Sequence, residues 1–213
     1  MQMKSPEPPA STAELVELDA IAVRTSAELV DRVTAADLGR VTPCAAWNLH
    51  ELIAHMATQH HGFAAACNGA EGPDSWRLRP LGDDPAGSYR EAADLVLAAF
   101  AADGVPGRAF LLPEISTRRR FPAAQAISFH LLDYVVHSWD VAATLGVPAD
   151  FEPAVLAAAL AVAQIVPAGQ ARLAPGAAFG PVVPWRARNA LEEILALAGR
   201  SPSWPAPAPG AAG

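Results

Sequence analysis

Two cysteines in 213 residues, Cys44 and Cys67, are too few for a disulfide framework in a chain of this size, and they do not form a CxxC pair. Each reads as a small buried apolar group before it reads as a nucleophile. Long apolar runs are also missing. Hydrophobic residues make up 52% of the chain, enough for a sizeable core, yet no run reaches the roughly 18–20 residues of a membrane span. A basic segment followed by an apolar one is absent from residues 1–10, which carry Pro and Glu instead. That argues against a secretory signal and makes a cytoplasmic location the expectation. Cations are scarce: 15 Lys plus Arg against 22 Asp plus Glu, a formal charge of −7. Nucleic acid is therefore a poor partner, because phosphate binding rests on clustered cations, and with no apolar span no membrane partner is expected either. The one basic cluster, Arg118, Arg119 and Arg120, suits a small anion at most. No internal repeat is present.

What the chain does contain is helix signal. Leu15, Leu18, Ala22, Leu29 and Val33 recur at helical spacing, predicting a helix over 11–33. Asn48 followed by Glu51 three residues later is a capping-box pattern, and Leu52, Met56 and Phe63 share a face until Asn68-Gly69. Residues 70–87 read as loop, and a third helix is expected from Ser88 to Asp103-Gly104. Residues 104–121 read as irregular or as a short strand pair. A fourth helix opens at Pro122 and stops at Gly146 before Pro148. Four long amphipathic helices with long connections make the fold class all-α, a four-helix bundle. Residues 153–166 and 186–199 add two shorter helices. The expected organisation is a bundle over 11–150, a helical extension over 151–204, and disordered tails over 1–10 and 205–213.

The fourth helix carries His130, Asp133, Tyr134, His137, Trp139 and Asp140 within eleven residues. At 100° per residue, positions 130, 133, 134 and 137 fall within one 100° sector. That is the inward stripe, and it is polar. Leaving such groups buried and unpaired costs roughly 1–3 kcal/mol each, so something must compensate. A metal does so by taking imidazole and carboxylate directly. Asp133 and His137 are one turn apart on one side. A third ligand must come from another helix, and His55 is the natural candidate. An Asp–His pair joined only by a hydrogen bond fits the spacing equally well. His130 is either a rival ligand or a histidine at the bundle rim. Tyr134 and Trp139 line a pocket or sit in the core. Asp140 orients a ligand histidine or caps backbone.

Two segments carry a family resemblance. Thr42-Pro43-Cys44-Ala45-Ala46-Trp47 with Leu52-Ile53-Ala54-His55-Met56, and Leu132 to Ala142 containing Asp133-Tyr134-Val135-Val136-His137-Ser138-Trp139-Asp140, resemble the two motifs of the mycothiol-dependent maleylpyruvate isomerase family. That family consists of DinB-like metal-binding bundles. Phe179-Gly180-Pro181 and Gly199-Arg200-Ser201-Pro202-Ser203-Trp204 resemble the tail of one actinobacterial branch. The resemblance implies a divalent metal, zinc expected, on His55, Asp133 and His137. Three ligands leave a position for water or substrate. It also implies mycothiol as thiol cosubstrate, activated for addition to an electrophilic small molecule, in isomerisation or thiol transfer. Arg118, Arg119, Arg120 and Tyr134 are the candidate substrate contacts. Asp133 stands where the family's isomerase has glutamate, and Ser138 where glycine is usual. A metalloenzyme of secondary metabolism acting without thiol, and a non-catalytic metal or small-molecule binding protein, are the alternatives.

Overall fold

Helix ends in this chain follow its capping chemistry. In a computed structural model that describes residues 10–45, 47–174 and 177–205, α1 spans Thr12–Val30 and α2 Leu49–Cys67. Both open on complete capping boxes. At α2, Asn48 Oδ1 accepts the Glu51 N–H at 3.0 Å, and the Glu51 carboxylate accepts the Asn48 N–H at 2.9 Å. α3 spans Pro85–Phe100 and starts a turn earlier than Ser88 suggested. Asp84 is the cap, accepting the Gly87 N–H at 2.9 Å, and Pro85 takes the first-turn position where no N–H is needed. The Ser88 hydroxyl is used otherwise, donating to the Leu81 carbonyl at 2.6 Å.

α4 spans Ala123–Leu145, capped by Pro122 and stopped by Gly146 at φ 74°, a left-handed turn that glycine adopts without strain. Between α3 and α4 the chain forms a short antiparallel pair, β1 (Ala109–Leu111) and β2 (Arg120–Pro122). The segment 104–121 is thus the strand pair of the two readings.

The four long helices close a ring in which α1 lies against α4 and α3, and α2 against α3 and α4. Leu49, Leu52, Ile53, Met56, Ile127 and Leu131 fill the centre, each shielded from solvent. Each such side chain contributes roughly 1.5–3 kcal/mol by leaving water. No described helix is long and apolar enough to cross a membrane.

Beyond the bundle, α5 (Pro153–Ile165) packs on α4 and α1, and α6 (Ala190–Leu197) packs on α5. This C-terminal segment is stitched by a buried arginine. Arg172 donates to the carbonyls of Pro167 at 2.8 Å, Gly180 at 3.1 Å and Val166 at 3.3 Å, and also to that of Leu197. Gly199, at φ 79°, lies against Gly180 so closely that a Cβ there would meet backbone at 2.7 Å. The two tail motifs therefore meet in space. Of the expected tails, residues 1–9 and 206–213 lie outside the described residues.

Candidate metal centre

The loop before α2 is built to place one indole. The Thr42 hydroxyl lies 2.9 Å from the carbonyls of both Cys44 and Trp47, and the Trp47 N–H donates to the Cys44 carbonyl at 2.9 Å. This knot lays Trp47 on His55, ring centroids 4.2 Å apart and 25° from parallel. His55 sits one turn after Leu49 and Leu52 have anchored α2 in the core. Burial, then the neighbouring His137, pushes the His55 pKa down to about 4 against the pull of Asp133. Its imidazole is neutral near pH 7, with a lone pair to offer.

Across from it, α4 supplies Asp133 and His137. The His55 and His137 rings meet edge to face, 5.4 Å between centroids. One ligand atom from each of His55, Asp133 and His137 can be chosen so that all lie within 4.8 Å of one another. His137 Nδ1 lies 2.9 Å from Asp140 Oδ2. The ring donates its proton there, because a carboxylate can only accept. In the neutral ring Nε2 carries the lone pair, and in either protonation state it faces Asp133 Oδ1 at 3.5 Å. A proton or a metal cation would fit between them. His55 and Asp133 are half-buried, the Asp133 side chain 24% exposed, whereas His137 is buried.

Asp140 is fully buried and held by Arg200, whose Nε lies 3.1 and 3.2 Å from the two carboxylate oxygens and whose NH2 lies 3.1 Å from Oδ2. Burial alone would lower the Arg200 pKa; Asp140, with Cys44 and Asp133 adding less, outweighs it and raises the pKa. The cation beside the cluster is thus Arg200, which the sequence reading did not pick out. Its signal was the Gly199-Arg200 motif of the tail.

Arg118, Arg119 and Arg120 are exposed, and the latter two are engaged elsewhere. Arg119 lies over the Phe121 ring at 4.9 Å and reaches Gln125, while Arg120 pairs with Glu71 and the Ala109 carbonyl. Tyr134 takes the core alternative: it is fully buried, donates to the Met56 carbonyl and stacks on His60 at 4.0 Å.

His130 is at neither expected place. It is fully buried, with Nδ1 2.7 Å from Asp19 Oδ1 and Nε2 3.2 Å from His60 Nδ1. Glu114, on the β1–β2 connection, was also missed. It accepts from Gln59 Nε2 at 2.9 Å, one turn beyond His55. Partial burial raises its carboxyl pKa, the Gln59 bond lowers it, and the Asp133 charge raises it again.

A profile described as the mycothiol maleylpyruvate isomerase N-terminal domain matches residues 20–142. The chain belongs to this family. The matched stretch contains His55, Asp133, His137 and Asp140, and ends well before Arg200. Uncharacterized proteins from two strains of Mycobacterium tuberculosis are each 29% identical over 182 residues, spanning 82% of this chain and 91% of theirs. The crystal structure of the mycothiol-dependent maleylpyruvate isomerase matches with a TM-score of 0.55 at 17% identity, over 72% of this chain and 70% of that one. A histidine-to-alanine mutant of that enzyme matches at 0.56 and 15% identity, with the same coverage. The fold is the DinB-like four-helix bundle. Family and fold together support a mycothiol-related isomerase or transferase.

Proposed function

We propose that the chain holds a divalent metal, zinc, on His55, Asp133 and His137, and uses it with mycothiol in isomerisation or thiol transfer on an electrophilic small molecule. The observation that carries the reading is the convergence of His55, Asp133 and His137, one ligand atom from each within 4.8 Å of the others, with the His55 imidazole neutral. Two imidazoles and one carboxylate are a zinc donor set that leaves one position open. Bound there, zinc would lower the pKa of an incoming thiol, so that a thiolate exists near neutral pH.

The chain's own residues do the rest. Trp47 covers one face of His55 and keeps water from it. Asp140 fixes the His137 tautomer through Nδ1. Residues 11–150 act as the metal-binding bundle, and residues 151–204 as an extension supporting it.

A second reading is a metalloenzyme that needs no thiol. Glu114 favours it, because a carboxyl of raised pKa, within the electrostatic reach of Asp133, can take a proton from water. The test is elemental analysis of the purified protein, followed by turnover of unsaturated dicarboxylates with and without mycothiol. One zinc per chain and thiol-dependent turnover, lost in His55→Ala, is the expected result. Turnover at full rate without thiol would favour the second reading. A metal-free wild type would overturn both.

A further inference from the structure

Arg200 and Asp140 form a tight contact in a place where such contacts are costly to leave incomplete. Asp140 is fully buried and Arg200 is 6% exposed. The planar guanidinium meets the carboxylate with Nε and NH2, and NH1 donates to the Ala198 carbonyl at 3.3 Å. Three of its nitrogens are thereby committed to the protein. Asp140 Oδ2, held in this fork, is the oxygen that accepts from His137 Nδ1. A carboxylate fixed by an arginine fork cannot rotate away from the imidazole it receives from. The ring is therefore held with Nδ1 on Asp140 and Nε2 facing Asp133.

The position of Arg200 is set by the C-terminal segment. Gly199 makes the left-handed turn into it, and only its own lack of a side chain lets it lie against the Gly180 backbone, which a Cβ would meet at 2.7 Å. The Arg200 N–H donates to the Leu195 carbonyl at 2.8 Å, ending α6. Arg172 ties Gly180 and Leu197 to the end of α5. None of these residues lies in the stretch matched by the family profile, residues 20–142.

We propose that the C-terminal segment completes the metal centre, with Arg200 acting as a positioning residue that holds Asp140 and, through it, the His137 tautomer. The proposal rests on the metal reading for its effect on affinity, but not for its effect on the imidazole. Replacing Arg200 leaves Asp140 free to turn from His137, and the ligand loses both its orientation and its electron-donating partner. Losses of this kind lower metal affinity about 10- to 100-fold.

The experiment compares wild type, Arg200→Ala, Arg200→Lys and Asp140→Asn. The imidazole nitrogens are read by nitrogen-15 NMR in metal-free protein. Zinc affinity is then measured by competition with a chromophoric chelator, with thermal melts as the check on folding. Wild-type His137 is expected to show the Nδ1–H tautomer alone. Arg200→Ala should mix the tautomers and weaken zinc about 10- to 100-fold, with partial recovery in Arg200→Lys. Asp140→Asn, which keeps the side-chain size, should weaken zinc in the same direction even where Arg200→Ala does not fold. A folded Arg200→Ala with the wild-type tautomer and affinity within two-fold would overturn the proposal, as would an Asp140→Asn variant indistinguishable from wild type. A wild type that binds no zinc would sink the metal reading alone, since the tautomer measurement still decides the role of Arg200.

Discussion

The same two helices carry two histidine pairs, and the pairs have opposite fates. His55 of α2 meets His137 of α4 with centroids 5.4 Å apart; one turn along α2 and two turns back along α4, His60 meets His130 at 5.3 Å. Ring distance barely separates them. The difference lies in where the lone pairs go. In the second pair all four ring nitrogens have partners. Asp19 Oδ1 faces His130 Nδ1, His130 Nε2 faces His60 Nδ1, and His60 Nε2 faces the Tyr89 hydroxyl at 3.3 Å. The Tyr89 hydroxyl continues to Ser26 Oγ at 2.6 Å, and so all four long helices are joined by one polar chain. In the first pair, His137 Nε2 faces Asp133 Oδ1 at 3.5 Å, and His55 brings a third ligand atom within 4.8 Å of both groups. Two imidazoles on facing helices are therefore not a metal site by number or distance. What distinguishes the first pair is that one atom from each ring and one from Asp133 converge within 4.8 Å, where the second pair is used up in a head-to-tail hydrogen-bond chain.

Breaking each pair in turn should give opposite results. His137→Leu is expected to abolish stoichiometric metal, measured by elemental analysis, while leaving the buried chain intact. His130→Leu should keep one zinc per chain yet cost about 3–5 kcal/mol in urea unfolding, because it strands the Asp19 carboxylate in the core. Replacing both partners, Asp19→Leu with His130→Leu, should recover part of that loss, since the carboxylate is gone and only His60 Nδ1 has lost its partner. Loss of zinc in His130→Leu, with the fold retained, would place the two pairs in one functional unit and erase the contrast.

A smaller effect separates the pairs by pH. Burial, then the neighbouring His130, lowers the His60 pKa well below its ordinary value, and burial raises that of Asp19 against the pull of His130. For His60 the unfolded chain binds the proton first as pH falls below about 6.5, so stability declines with falling pH. For Asp19 the sign is reversed: the folded state keeps its proton above the ordinary carboxyl value, so its contribution is lost as pH rises through the raised pKa. His60→Phe in metal-free protein should flatten the fall in urea midpoint between pH 7 and pH 5. An unchanged slope would assign that fall to His55, whose pKa of about 4 acts with the same sign.

The smallest effect concerns Ser138, next to His137. Its hydroxyl is buried without a partner among the described residues. Ser138→Ala should stabilise by about 1 kcal/mol, read from the urea midpoint, with zinc content unchanged.

Much of this was legible from local chemistry. Asn48 with Glu51 set the start of α2, and Pro122 and Gly146 bounded α4, because capping is decided within four residues. The three candidate ligands were also legible from the polar stripe and the motifs around it. His130 was not, for a geometric reason. It shares the angular sector of His137 but lies seven residues away, roughly 10 Å along the helix axis. The helical angle says which side a residue faces, not at what height. At its own height His130 meets Asp19, 111 residues distant, in a helix whose periodicity gave no sign that an acid was turned inward. Arg200 escaped likewise, because the groups that make it important lie 60 residues earlier, on another helix. Helix α3 was misplaced by one turn because Ser88 looked like a cap, while Asp84-Pro85 held the stronger signal.

The indole stacked on His55 gives the protein an optical reporter of its own state. Trp47 lies 4.2 Å from one imidazole of the cluster and 6.1 Å from the other. Its emission is thus sensitive to any change in the charge or position of either ring. The four other tryptophans set a background that a Trp47→Phe control subtracts. Titrating metal or thiol against this signal follows events at the cluster without a label, a chromophoric substrate or any knowledge of what the protein turns over.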